Sequence, residues 1–238
     1  MGDNPTERHY RADWDQRARQ GMRLYVATWY AKSDETWEEG ARRDAEFILR
    51  LLPAELGPGQ ACLDLGCGPG RLLPYLAQRF SSVEGCDVSP EMLASARELV
   101  GPEIPLHLVD GSSLDGLPDD GFGCVICCAV FIHLDQATIR SYLAEVVRVL
   151  TPGGVLAASF NSSEVASPVD PDAYQPGPPL PPPDIGEEDM QLIGGPTWEG
   201  ARFDRPALEQ LLHAAGLQLL DCSQQGEAWL LAARLSSS

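Results

Sequence analysis

The stretch Ala61-Cys62-Leu63-Asp64-Leu65-Gly66-Cys67-Gly68-Pro69-Gly70-Arg71 decides the fold. It predicts a buried strand from Cys62 to Leu65, a glycine turn, and a helix from about Arg71 to Phe80. Three glycines in five residues let the backbone turn sharply and approach a ligand with no Cβ in the way. A helix starting there would aim free N–H groups and a partial positive charge at whatever lies over the turn. A small ligand with an anionic group suits such a turn; an ordinary strand-to-helix connection with no ligand also fits. The spacing approaches the dinucleotide fingerprint G-x-G-x-x-G, but Arg71 occupies the place of its third glycine.

Working outward, strand and helix patterns alternate as a doubly wound α/β fold requires. Ser82 to Cys86 is a short strand ending in Asp87, about twenty residues beyond the turn, where an acid can accept both ribose hydroxyls of a nucleotide. NAD-binding proteins use the same device, so Asp87 alone does not discriminate. Ser89-Pro90-Glu91 caps the following helix. Leu106 to Val109 is a third strand ending at Asp110-Gly111-Ser112. Phe122 to Val130 is almost continuously apolar, as a central parallel strand buried on both faces must be. Ile139, Tyr142, Leu143, Val146, Val147 and Leu150 form one helical stripe, which Thr151-Pro152-Gly153-Gly154 is expected to close with a glycine cap. Val155 to Phe160 is the fifth strand. After it, Pro206 to Ala215 is a helix, and Leu217 to Leu220 with Ala228 to Ala232 is a hairpin.

The flanking regions differ from this core. Residues 9–30 carry aromatics among charges and predict a helical segment with a looser end. Thr36-Trp37-Glu38-Glu39 has the form of a capping box, followed by an apolar face that Pro53 ends. Prolines crowd Pro168 to Pro183, which favours extended or irregular chain. Because that segment leaves the carboxyl end of the fifth strand, it is either a lid over the ligand side or a surface insertion.

Composition sets broad limits. The chain has 238 residues, 44% of them hydrophobic, and a formal net charge of −18. That charge opposes phosphate backbones and anionic membrane surfaces, and no apolar run is long enough to span a membrane. Seven cysteines, an odd number, together with a polar N-terminus predict a reducing cytoplasm. Cys124 and Cys127 have C-x-x-C spacing, but residues three apart on a strand face opposite ways, so both read as core.

Leu63 to Gly70, the acids ending the next two strands, and the run from Val130 through Gly154 together resemble the class I S-adenosylmethionine-dependent methyltransferases, continuously over about residues 61–160. The resemblance implies a Rossmann-like, seven-stranded, mostly parallel sheet of order 3-2-1-4-5-7-6, the last strand antiparallel, with N-terminal helices. It divides the chain into an N-terminal helical cap and substrate region (1–56), a cofactor-binding core (57–160), the proline-rich insertion (161–200) and a C-terminal helix and hairpin (201–238). It places S-adenosylmethionine over Asp64, Gly66, Cys67, Gly68 and Gly70. Asp87 and Val88 would face the ribose, Met92 the adenine edge, and Asp110, Gly111 and Ser112 the adenine amino group, with Ala129 and Val130 across the cleft. Trp14, Tyr25, Trp29 and Trp198 would shape the acceptor side; packing against the core is the alternative for the N-terminal aromatics.

The implied activity is methyl transfer to O or N of a small molecule. His133, just past the fourth strand, is the candidate general base, ahead of His213 and His9. Metal-dependent relatives need clustered carboxylates past the fourth and fifth strands. Ala129, Val130 and Ser159-Phe160-Asn161 stand there instead, so no metal is expected. Methylation of a peptide or protein, or cofactor binding without turnover, remain alternatives. A dinucleotide-dependent oxidoreductase is disfavoured by Arg71 and by the lack of a Tyr-x-x-x-Lys pair, Lys32 being the sole lysine. The sequence does not specify the oligomeric state.

Overall fold

The computed structural model describes residues 5–26, 33–164 and 200–236; Trp29, Trp198 and most of the 161–200 insertion lie outside the described residues. Two helices, α1 (Pro5–Val26) and α2 (Asp34–Leu51), precede the sheet. Then follow β1 (Ala61–Leu65), α3 (Leu73–Leu76), β2 (Ser82–Asp87), α4 (Pro90–Val100), β3 (Leu106–Leu108), β4 (Phe122–Cys127), α5 (Gln136–Val149) and β5 (Leu150–Ser162). The C-terminal part adds β6 (Arg202–Phe203), α6 (Arg205–Ala214), β7 (Leu217–Gln225) and β8 (Ala228–Leu235). The sheet runs β3-β2-β1-β4-β5-β8-β7, with β8 antiparallel to both its neighbours. This is the expected order with one strand more. Two-residue β6 pairs Asn161 and Ser162 of β5, beyond the residues that β4 pairs.

Because β1, β4 and β5 are covered on both faces, their side chains divide between two cores. Ala45 and Ile48 of α2, Leu52 just after it, and Leu73 and Leu76 of α3 pack on one face with Cys62, Cys124 and Ile126. On the other face, Ile139, Leu143 and Val146 of α5 and Leu208, Leu211 and Leu212 of α6 pack on Leu63, Val125 and Cys127. Cys124 and Cys127 thus lie in opposite cores, as free thiols. Among the described residues, no helix is long and apolar enough to cross a membrane.

Local details depart from the sequence reading for physical reasons. The helix expected over 71–80 is a single four-residue turn, α3, in which Pro74 supplies no N–H and the flanking bonds alternate between three- and four-residue spans. The capping box of α2 sits one turn earlier. Ser33 Oγ accepts from Thr36 N–H and Thr36 Oγ1 from Ser33 N–H, both at 3.1 Å, while Glu39 pairs with Arg42 and Arg43. β4 stops at Cys127, because Ala129 turns into the left-handed region at φ 57°. Helix α5 ends on extended Leu150, not on a glycine cap. Residues 151–154 instead bulge from β5, whose register jumps from Phe122↔Leu150 to Cys124↔Val155.

Phe160 is wholly buried where the α5–α6 core meets β6, its ring centroid 5.0 Å from Phe131 and 5.9 Å from Phe203. Phe160→Ala should lower unfolding free energy by about 3–5 kcal/mol, read from urea titration. A loss below about 1 kcal/mol would mean that this junction is not close-packed.

Candidate active site

A cleft opens over the carboxyl ends of β1, β2 and β4, with about 930 Å³ of space when its open mouth is counted. It sits at the topological switch point, where β1 lies between β2 and β4 and the connections diverge.

The turn after β1 forms its floor. Gly66, Gly68 and Gly70 have φ of 75°, 53° and 81°, a region costly for residues with a Cβ. At Gly66 a Cβ would lie 2.2 Å from Val130 Cγ2, so the far wall rests on bare backbone. Most N–H groups of the turn are already engaged. Those of Gly66 and Cys67 donate to Cys86 C=O, at 2.8 and 2.9 Å, that of Gly68 to Asp87 Oδ2 at 2.9 Å, and that of Gly70 to Cys67 C=O at 3.0 Å. The charge for an anionic group therefore comes from elsewhere than the helix end expected from sequence, which has only the four residues of α3 behind it.

Arg71 supplies it. Its side chain lines the cleft, buried, and pairs with Asp44 of α2 at 2.7 Å. Asp64 lies in the same corner, 2% exposed, with Oδ2 buried and lacking a hydrogen-bond partner. Burial pushes the Asp64 carboxyl up to about 7, with Arg71 opposing the rise and Asp87 adding to it. Asp87, ending β2, accepts Gly68 N–H and Ser89 N–H at 2.9 Å each, yet burial still raises it to about 6. Cys128 also lines this corner, its thiol pushed up to about 12 by burial and so kept neutral.

The structure brings Asp64, Gly66, Cys67, Gly68, Asp87 and Val88 to the cleft, and with them Met92, Gly111, Ala129 and Val130. Gly70, Asp110 and Ser112 do not line it. Gly70 packs against Ala96 of α4. Asp110 turns its carboxylate onto Ser112 N–H, Ser113 N–H and Ser113 Oγ at 2.7–2.9 Å, bonds that hold it below its usual value against the opposing effect of burial. Ala129 is held at its positive φ by a 2.8 Å bond from its N–H to Ser159 Oγ, an arrangement found mostly at functional sites.

The acceptor-side candidates Trp14, Tyr25 and His133 meet here too. His133 is buried on a tight turn, Phe131–His133, in which Ile132 C=O accepts from Asn161 Nδ2 and Gly200 N–H, while Leu134 C=O just beyond accepts from Ala201 N–H. Helix α1 lies over the cleft. Ser89 Oγ donates to Asp15 at 2.5 Å, Arg11 to Val109 C=O at 2.8 Å, and Tyr10 O–H to Asp135 at 3.2 Å. His213 lies away on α6.

Sequence reasoning missed Arg71, Tyr10 and Tyr142 as lining residues. Arg71 was the one charge in an otherwise neutral turn, and Tyr142 the one polar tip in an aliphatic stripe; those were the available signals. Among the described residues, no group of three or more His, Cys, Asp or Glu is placed to hold a metal ion.

A mostly parallel sheet with a glycine turn at its switch point and an acid ending the second strand defines a doubly wound, nucleoside-cofactor-type α/β protein. Residues 62–154 match the family described as a methyltransferase domain. The chain is 34% identical over 121 residues to an uncharacterized methyltransferase of Synechocystis, covering 47% of this chain and 53% of that one. It is also 34% identical over 138 residues to a trans-aconitate 2-methyltransferase of Methylobacterium radiotolerans, covering 57% and 50%. The chain thus spans about half the length of these relatives. Among solved structures, the 1,6-didemethyltoxoflavin-N1-methyltransferase of Burkholderia thailandensis has the same fold, with a TM-score of 0.67 at 20% identity over 100% of this chain and 92% of that one. The chain thus has the fold of solved methyltransferases, and its residues 62–154 are similar to a methyltransferase domain.

The two raised carboxyls have a consequence for stability. An unfolded Asp titrates at ~3.9, so between about pH 4 and 7 these two groups hold more protons in the native state than in the unfolded chain, and their contribution to stability falls as pH rises across that window. Asp64→Asn should remove its share of that decline, on the order of 3–4 kcal/mol between pH 4 and 8. Urea unfolding of both proteins at several pH values checks this. An unchanged slope would mean that Asp64 is not held protonated.

Proposed function

We propose that the chain transfers the methyl group of S-adenosylmethionine to an oxygen or nitrogen of a small molecule by in-line displacement, without a metal. The observation that carries this is the corner formed by Asp64 and Arg71 beside the Gly66–Gly68 turn. An unpartnered buried carboxylate and a buried guanidinium match the ammonium and carboxylate of a methionine tail. Asp87 is left to accept the ribose hydroxyls, and Met92 and Val88 to flank the adenine.

When bound, the cofactor supplies an activated methyl on a sulfonium. The protein's part is to align the acceptor and keep water out. Helix α1 roofs the cleft through Tyr10, Arg11 and Asp15. Val130 and Leu134 give the acceptor side an apolar wall. His133, which lines the cleft beside Trp14, takes the acceptor's proton. A small-molecule acceptor is supported by the full-length likeness to a methyltransferase whose substrate is one. An acyclic tricarboxylate such as trans-aconitate suits the cleft less, because Arg71, the only cation among the described lining residues, is assigned to the methionine carboxylate.

Calorimetry should give saturable binding of S-adenosylmethionine and S-adenosylhomocysteine and none of NAD; the reverse would overturn the reading. Asp87→Ala should weaken cofactor binding by on the order of 2–3 kcal/mol; unchanged affinity would remove Asp87 from the site. His133→Ala should lower turnover about 10²-fold or more, followed by S-adenosylhomocysteine release, with cofactor affinity kept. Equal losses in both would show that His133 supports the cofactor instead.

A further inference from the structure

The cleft's charged lining groups among the described residues are Asp64, Asp87 and Arg71, all in the part assigned above to the cofactor. What remains is Tyr10, Trp14, Tyr25 and Val26 from α1, facing Val130, His133 and Leu134 from beyond β4. That wall carries no formal charge other than what His133 takes up on protonation. A polyanionic acceptor would be desolvated there with no counter-charge, at heavy cost, and a permanently cationic one would compete with Arg17, which already lies over the Trp14 and Tyr25 rings.

The wall is aromatic and has a defined shape. The rings of Trp14 and His133 lie 5.2 Å apart, centroid to centroid, at 69°, forming a corner with one ring as wall and the other edge-on. Tyr10 spends its hydroxyl on Asp135, which fixes its ring beside this corner. Behind Trp14 and Tyr25 sits the buried guanidinium of Arg17, 5.7 and 4.9 Å from their centroids and bonded to Asp13 at 2.7 Å. Arg17 does not line the cleft, so it polarises the two rings from behind. A cation on one face draws π-density toward itself and makes the other face a better partner for an electron-rich ring. Trp14 is only partly buried, so its exposed part is surface the fold does not need for its core.

Resting on the methyltransferase reading, we infer that the acceptor is a planar, electron-rich conjugated ring bearing a weakly acidic O–H or N–H, stacked on Trp14 with that group turned toward His133. The ring's O–H or N–H bond breaks, its proton going to His133. The freed electron pair forms the new bond to the methyl carbon, and the carbon–sulfur bond breaks with its pair left on sulfur as a thioether. His133 then returns the proton to solvent. Atoms and charge balance with no further reactant.

The test is calorimetric titration of S-adenosylhomocysteine-saturated protein with 2-naphthol, 8-hydroxyquinoline and lumazine as planar probes, and with citrate and choline as charged, non-planar ones. Saturable binding of at least one planar probe is expected, with citrate and choline silent. Trp14→Leu should weaken that binding at least tenfold and Trp14→Phe less than threefold, with S-adenosylhomocysteine affinity unchanged in both. Binding of citrate or choline in preference to the rings, no binding by any ring, or a Trp14→Leu protein that holds rings as wild type does would each overturn the inference. Failure of wild type to bind S-adenosylhomocysteine would instead refute the methyltransferase reading, and ring titrations of the bare protein would still score the aromatic wall.

Discussion

A carboxylate buried without a partner is costly, and the site is built around one. Asp64 is fixed by β1, the strand paired on both sides by β2 and β4, and so cannot swing out to water. The glycine turn that follows leaves no room for relief, since Val130 rests on Gly66 and the turn's N–H groups bond to Cys86, Asp87 and Cys67. Arg71 is held off by its pairing with Asp44. The resulting corner holds a carboxyl near the middle of its titration at neutral pH, beside a cation. A ligand carrying both an ammonium and a carboxylate relieves it.

The same constraint connects the N-terminal helices to the chemistry. Helix α2 supplies Asp44, which orients Arg71, while α1 binds the N-cap residues of the two helices that flank the cleft, Ser89 of α4 and Asp135 of α5. Each cap still serves its own helix, Ser89 accepting from Met92 N–H and Asp135 from Ala137 and Thr138 N–H. Hydrogen-bond networks of this kind position α1 over the cleft more firmly than apolar contact alone would. That placement brings Trp14 to His133, two residues 119 positions apart in sequence.

The sheet was legible because its signals are local: apolar strands alternating with amphipathic helices, and acids at the ends of β2 and β3. What was not legible depends on neighbours. Pro74 in Leu72-Leu73-Pro74-Tyr75 is as compatible with the first turn of a long helix as with a short one, so the sequence alone does not announce that α3 keeps only one regular turn. The bulge at 151–154 is a matter of register between β4 and β5, which no single strand encodes. Asp110 sits where sequence placed it, but its carboxylate is drawn to the two serines that follow, a local preference that outcompetes reaching into the cleft. Arg71 was read only as a departure from a glycine pattern, since its role depends on Asp44 and Asp64 coming together from distant parts of the chain.

The most direct measurement is calorimetric titration with S-adenosylhomocysteine in buffers of different ionisation enthalpy, between pH 6 and 8.5. If the methionine ammonium settles on Asp64, binding must expel the proton that burial keeps there. Net proton release, growing as pH falls toward 6 and vanishing by 8.5, is the expected result. Binding with no proton released, or no binding at all, would contradict the placement of the cofactor tail in this corner.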